Sequence, residues 1–194
     1  MNFTYDRTIL LNNFQRVDTY KKGVINAIEL HAAFALGSWP RLSIETSKMI
    51  LAMFDANNSK AIPFETFESL WNFILDWLKL FKKNEKNESG YIDKNDAKLI
   101  FQEYGYKFSD ECFSYIFMSL ANRIGTPIKK NASVKPNDIS FDDFICLVFR
   151  LNAITLSFNN LDHNRDALIQ LNLSDFLTIL FDIKSLCFLC ARKI

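Results

Sequence analysis

The chain of 194 residues carries 23 basic and 22 acidic side chains, a formal net charge of +1, which excludes a basic nucleic-acid-binding arm and an acidic tail. Apolar residues make up 49% of it, enough for a substantial core within a single domain over residues 1–194, and a disordered chain is excluded as well. Five Gly and four Pro against nineteen Phe exclude a turn-dense sandwich or barrel and point to an all-α protein of long helices.

The first residues, Met1 to Arg7, lack a charged region followed by an apolar run and a cleavage site, so no secretory signal is expected. A helical pattern begins within a few residues of Met1 and leads into a polar stretch ending in GVINAIEL, with Ile25 at its centre. Next, Ser47 to Phe54 places Ile50, Leu51 and Phe54 on one face before KAIPFETF and Ile62. After it, Phe67, Leu70, Trp71, Ile74, Trp77, Leu78 and Phe81 keep the i, i+3, i+4 spacing of one amphipathic helix, a stripe that reads as core.

Leu70 to Phe81 is the most apolar stretch, but Asn72, Asp76 and Lys79 interrupt it and it falls short of the roughly 20 residues a bilayer needs. No transmembrane segment and a cytoplasmic protein are therefore expected, with any membrane association indirect. Ile92 (GYIDKNDA) follows, then Asn122 to Asp138, which reads as a surface insertion, then Ile139 (NDISFDDF) and Ile169 (ALIQLNLSDF).

The five isoleucines are separated by 37, 30, 47 and 30 residues, the period of an array of like supersecondary units. Each lies between two helical patterns, so the unit reads helix, loop, short extended pair, helix. Asn26 with Glu29, Asp93 with Asp96, and Ser140 with Asp143 fit helix starts, a capping residue with an acid three places on. Cys112, Cys146, Cys187 and Cys190 are too few and too irregular for a disulfide scaffold, and reduced thiols are expected. Cys187 and Cys190 form a CxxC that would be half a zinc site only if His31, His163, Cys112 or Cys146 completed it.

With each isoleucine at position 8, the loops become 18–29, 55–66, 85–96, 132–143 and 162–173. This is the register of the EF-hand calcium loop. It needs oxygens at positions 1, 3, 5 and 9, a carbonyl at 7, Gly at 6 and a bidentate Glu at 12. The first loop offers Asp18, the Val24 carbonyl, Asn26 and Glu29 around Gly23, but Tyr20 and Lys22 stand at positions 3 and 5. Lys21 and Lys22 there oppose a cation by about 1 kcal/mol each, so binding should be weak.

The third loop is the fullest set: Glu85, Asn87, Ser89, the Tyr91 carbonyl, Asp93 and Asp96 around Gly90. Its Glu at position 1 is long and its Asp at position 12 short, which favours fewer ligands and the smaller magnesium ion. The second loop has Asp55, Asn57 and Ser59, but Lys60 in place of Gly and Thr66 at position 12. The fourth offers Ala132, Val134 and Pro136; the fifth begins with Asp162, Asn164 and Asp166 and ends on Leu173. These three read as structural, and a metal-free role for all five stays open. A net charge of +1 fits an array that has lost most of its acidic ligands.

Five such units, with a long helix from the second loop into the third, resemble the penta-EF-hand family. Ala35 to Trp39, Met53 to Asp55, Leu70 to Ile74, Ser89 to Asn95 and Phe141 to Ile145 carry the resemblance, which is strongest to the peflin group. Phe141 to Ile145 and Leu171 to Phe176 also look like the calcium-binding domains of calpains, including small-subunit-like domains. The resemblance implies calcium at the first and third loops. It also implies a Gly/Pro-rich amino-terminal extension, of which no counterpart is expected here.

EF-hands pair through the strand at position 8, where backbone N–H and C=O groups need partners, so five hands leave one over. The fifth hand is therefore expected to pair with a second chain, as a homodimer or, as the resemblance implies, a heterodimer. Leu168, Ile169, Leu171, Leu173, Phe176 and Leu177 are the candidate interface, with Leu156, Phe158, Leu161 and Phe181 beside them. Two functions compete: a non-catalytic calcium-responsive adaptor exposing a Phe/Trp-lined groove to a peptide, and a calcium-independent subunit of a heterodimer. An enzyme is not expected, since neither histidine stands in the context of a nucleophile and no phosphate-binding Gly loop occurs.

Overall fold

The computed structural model describes residues 6–37, 39–86, 88–121 and 138–178. The expected insertion over 122–137, Asn87, Phe181 and the Cys187–Cys190 pair lie outside the described residues.

Helices and short strands alternate as the repeat predicts. α1 (Arg7–Val17), β1 (Val24–Asn26) and α2 (Ala27–Leu36) form the first unit, and α3 (Ile44–Phe54), β2 (Ala61–Pro63) and α4 (Phe64–Asn84) the second. α4 also enters the third unit, with β3 (Tyr91–Asp93) and α5 (Lys94–Glu103). α6 (Asp110–Ala121), β4 (Asp138–Ser140) and α7 (Phe141–Leu161) make the fourth. α7 then enters the fifth loop, and residues 173–178 are helical beyond it.

The repeated isoleucines explain the pairing. β1 and β2 run antiparallel with Ile25 opposite Ile62, and β3 and β4 run antiparallel with Ile92 opposite Ile139. All four are buried. Each three-residue strand closes its backbone groups on the neighbouring unit while its central side chain enters the core, so units associate in twos.

Helix starts follow the capping chemistry. Asn26 accepts from the N–H groups of Ile28 and Glu29 while the Glu29 carboxylate returns to Asn26 N–H, a complete capping box. Asp93 caps α5 and Ser140 caps α7 in the same way from position 9, without the returning bond.

α4 is the centre of the packing. Phe67, Leu70, Trp71, Ile74, Trp77, Leu78 and Phe81 are all buried along it, the full stripe expected from the 3.6-residue period. At one end Phe34 and Trp39 enclose Trp71; at the other Phe81 meets Phe141 and Phe144 of α7. The Trp39 ring lies where any Cβ on residue 37 would stand, which is why a glycine ends α2.

α7, not Leu70 to Phe81, is the described helix long and apolar enough to cross a bilayer by length and composition. Its Phe141, Phe144, Ile145, Leu147, Val148 and Phe149 are buried in the core, as in the central helix of a globular fold. Asp142 of α7 accepts from Ser43 N–H at the start of α3, and Cys146 meets Thr46 Oγ1 at 3.2 Å, tying the two halves together. Cys112 and Cys146 form no disulfide among the described residues.

Candidate metal loops

Four of the five loops share one backbone path. At position 4, Lys21, Asn58, Glu88 and Arg165 have φ of 52°, 52°, 49° and 57°. At position 6, Gly23, Lys60, Gly90 and Ala167 have φ of 74°, 63°, 81° and 64°. The second and fifth loops therefore make the EF-hand turn without its glycine, which the sequence pattern alone reads as a broken loop.

The position-1 carboxylate explains how. Asp18 accepts from the N–H groups of Lys22 (2.9 Å) and Gly23 (2.7 Å), and Asp55 from those of Ser59 (3.0 Å) and Lys60 (2.5 Å). Asp162 accepts from Asp166 (3.2 Å) and Ala167 (2.9 Å), and Glu85 from Gly90. A charge-assisted bond to a backbone N–H is stronger than a neutral one and offsets the cost of a side chain at positive φ, so the turn closes even over Lys60 and Ala167. It follows that Lys60→Gly and Ala167→Gly should each stabilise the fold by about 1 kcal/mol. Urea midpoints measure this; no gain would mean that the left-handed turn carries no strain.

Desolvation raises the Asp55 carboxyl, but the N–H groups of Ser59 and Lys60 and the Ser59 hydroxyl outweigh it and hold the group below its ordinary range. Asp143, at position 12 of the fourth loop, is moved the other way: burial raises it, against a hydrogen bond from the Ser140 hydroxyl at 2.8 Å.

In the first loop Asp18 is buried, Val24 and Asn26 are half-buried, and Glu29 stands at the close of the loop. The ammonium of Lys22 lies 2.9 and 3.1 Å from the two Glu29 carboxylate oxygens. The residue at position 5 is thus bound to the residue at position 12, both of which would face a cation.

In the third loop the side chain of Glu85 is 2% exposed and pairs with Lys82 at 2.5 Å. Ser89 donates its hydroxyl to the Tyr91 carbonyl at 3.1 Å, joining the oxygens of positions 5 and 7. Lys86 reaches Asp96 at 2.8 Å and Asp93 at 3.3 Å. Asp93 is lowered first by the N–H of Asp96 and then, against desolvation, by the Lys86 ammonium. Lys86 is raised by its bonds to Asp96 and Asp93. Lys86 thus joins Asp93 to Asp96 and Ser89 joins Tyr91, while Glu85 is held by Lys82 and the Gly90 N–H; Asn87 lies outside the described residues.

By residue type these sets suit a divalent cation; by arrangement Glu29, Glu85, Asp93 and Asp96 are engaged with ammonium groups and Asp18 with backbone N–H groups. No three His, Cys, Asp or Glu side chains converge on a metal-sized site among the described residues. The sequence reading missed Lys82 and Lys86. Their signal was present, a lysine three places before Glu85 and another at position 2 of the loop.

At the fifth hand Leu168, Leu173, Phe176 and Leu177 are 74%, 72%, 48% and 42% exposed, while Ile169 and Leu171 are half-buried. No strand forms around Ile169 among the described residues. The Trp and Phe stripe of α4 is core, as its period predicts, and offers no open groove. The cleft found instead, about 370 Å³ between α1 and α2, is lined by Arg16, Val17, Thr19, Ile28, Glu29, Ala32 and Leu36.

The molecule is an array of EF-hand helix–loop–helix units, joined in twos by short antiparallel strands, with a further loop beyond the second pair. No family model matches the chain. It is 29% identical over 166 residues to peflin of Xenopus laevis, spanning 86% of this chain and 55% of that protein. To human calpain small subunit 2 it is 27% identical over 137 residues, 71% of this chain and 50% of that protein. The chain spans about half the length of these curated relatives. Its fold matches the solved structure of a homologue of programmed cell death 6 protein from Leishmania major Friedlin. There the TM-score is 0.69 and the identity 24%, covering 94% of this chain and 92% of the other. The relatives and the fold together support the penta-EF-hand family.

Proposed function

We propose that the chain is a non-catalytic, calcium-linked adaptor or regulatory protein of penta-EF-hand type with weak calcium sites, acting in the cytoplasm by pairing through its fifth hand. The observation that carries this reading is the cluster of exposed Leu168, Leu173, Phe176 and Leu177 around a loop whose Ile169 has no strand partner among the described residues. In the other described pairs the equivalent isoleucine is buried against its counterpart. The same surface on a second copy, or on a related penta-EF-hand chain, would supply the missing strand and cover the apolar side chains. A partner peptide would find the cleft between α1 and α2, where Val17, Ile28, Ala32 and Leu36 offer apolar contact between Arg16 and Glu29.

Light scattering on the purified chain tests the pairing. The expected mass is that of a dimer, falling to a monomer in Leu173→Asp and Phe176→Asp with the helical circular-dichroism signal kept. A mass unchanged by either substitution would overturn it.

A second reading, a calcium-independent structural or regulatory subunit of a heterodimer, peflin-like or calpain small-subunit-like, is favoured by the lysines seated on Glu29 and Asp96. The two readings share the pairing surface and differ only in what the loops do with calcium.

A further inference from the structure

Two loops reach the same arrangement by different routes. In the first, Lys22 at position 5 places its ammonium on both oxygens of Glu29 at position 12. In the third, Lys86 at position 2 places its ammonium on Asp96, also at position 12, and on Asp93 at position 9. The backbone routes differ, one lysine coming from position 5 of its loop and the other from position 2, yet the charge arrives at one chemical point. That point is where a divalent ion would draw the second helix of the hand toward the first.

The second and fifth loops supply the contrast. They carry Thr66 and Leu173 at position 12, and among the described residues no ammonium or guanidinium is paired there, although Lys60 and Arg165 belong to these loops. Glu29, Asp96 and Asp143 are all half-buried, and Asp143 accepts a hydrogen bond from the Ser140 hydroxyl.

We propose that Lys22 and Lys86 act as tethered cations that hold the first and third hands closed without metal, so that a divalent ion binds there only by displacing an ammonium. The proposal rests on reading these loops as EF-hands and deepens the account of their weak calcium sites. A tethered cation has three consequences. The closed state is constitutive, its strength falls with ionic strength as that of an ion pair does, and calcium affinity is reduced by competition at the strongest ligand of each loop.

Thermal unfolding and calorimetric titration of the full chain test it, first in chelator and then with calcium or magnesium chloride. Lys86→Gln should unfold at a lower temperature than wild type in chelator and bind calcium roughly tenfold or more tightly, because a unit charge within a few Å of the ion has been removed. Lys86→Arg, which keeps the charge, should match wild type in both measurements. Lys22→Gln should shift in the same directions, and the double variant further. Equal calcium affinity in wild type and Lys86→Gln would overturn the proposal. So would a metal-free midpoint unchanged by Lys86→Gln, or a Lys86→Arg variant that behaves like Lys86→Gln. Mass by light scattering separates this from the pairing surface: the lysine variants should keep the wild-type mass whichever way the titration falls.

Discussion

Trp71→Ala is expected to lower the free energy of unfolding by about 3–5 kcal/mol, the range for removing a large aromatic side chain from a close-packed core. Trp71 is wholly buried on α4. Its ring stacks on Phe34 of α2 at 5.6 Å and 19°, meets Trp39 edge-on at 4.6 Å and 70°, and lies 5.3 Å from Phe67. Three neighbours from different parts of the first two units thus lose their common partner at once, and the glycine at 37 leaves Trp39 no side chain to fall back on. A cavity lined by rigid rings collapses poorly, which places the effect toward the upper part of the range. Domains of this size are stable by about 5–15 kcal/mol, so the loss is a large fraction of the total. Urea denaturation followed by circular dichroism measures it. A loss below about 1 kcal/mol would show that the first two units are not assembled around Trp71.

Much of this packing is legible in the sequence, and for a definite reason. The stripe from Phe67 to Phe81 repeats with the helical period over several turns, and a long periodic pattern leaves little alternative to a buried helix face. The isoleucines recur because a three-residue strand has room for one inward side chain, so the spacing of Ile25, Ile62, Ile92 and Ile139 gives both the units and their pairing. α7 is less legible. Its apolar residues run almost without interruption from Phe144 to Phe149, a pattern whose moment is weak because the helix is enclosed on more than one side. Periodicity marks half-exposed helices well and enclosed ones poorly.

The loops show the opposite limit. Ligand type and position can be read from the string, and on that basis the first and third loops stand out. Which oxygen is free cannot be read in the same way, because it depends on where flexible lysines come to rest. Lys86 adjoins Glu85 in sequence yet is seated on Asp93 and Asp96, while Glu85 is taken by Lys82 from the last turn of α4. The missing glycines of the second and fifth loops mislead for a related reason. A pattern scores position 6 by itself, whereas the turn at Lys60 is decided jointly with Asp55, whose carboxylate binds the Lys60 N–H. The near-neutral composition noted at the outset acquires a location: part of the basic excess lies inside the loops, on their own carboxylates.

Asp18→Ala gives the second large effect, and it separates a loop ordered by the chain from one ordered by metal. Asp18 is 5% exposed, ends α1 and binds Lys22 N–H and Gly23 N–H through its two oxygens. Removing both charge-assisted bonds should cost about 2–4 kcal/mol of unfolding free energy. Part of what each bond supplies is recovered by water, since Lys22 and Gly23 are exposed. Asp18→Asn keeps one acceptor oxygen and should cost about half as much. The measurement is made in chelator. If the first loop took its shape only from a bound cation, the metal-free loop would already be open, and Asp18→Ala would unfold at the wild-type urea midpoint. A clear loss in chelator, with the Asn variant intermediate, means that the carboxylate orders its own turn. In that case the residue at position 1 serves the fold before it serves any ion, and the same aspartate at 55 and 162 holds two loops whose position 12 carries no carboxylate at all.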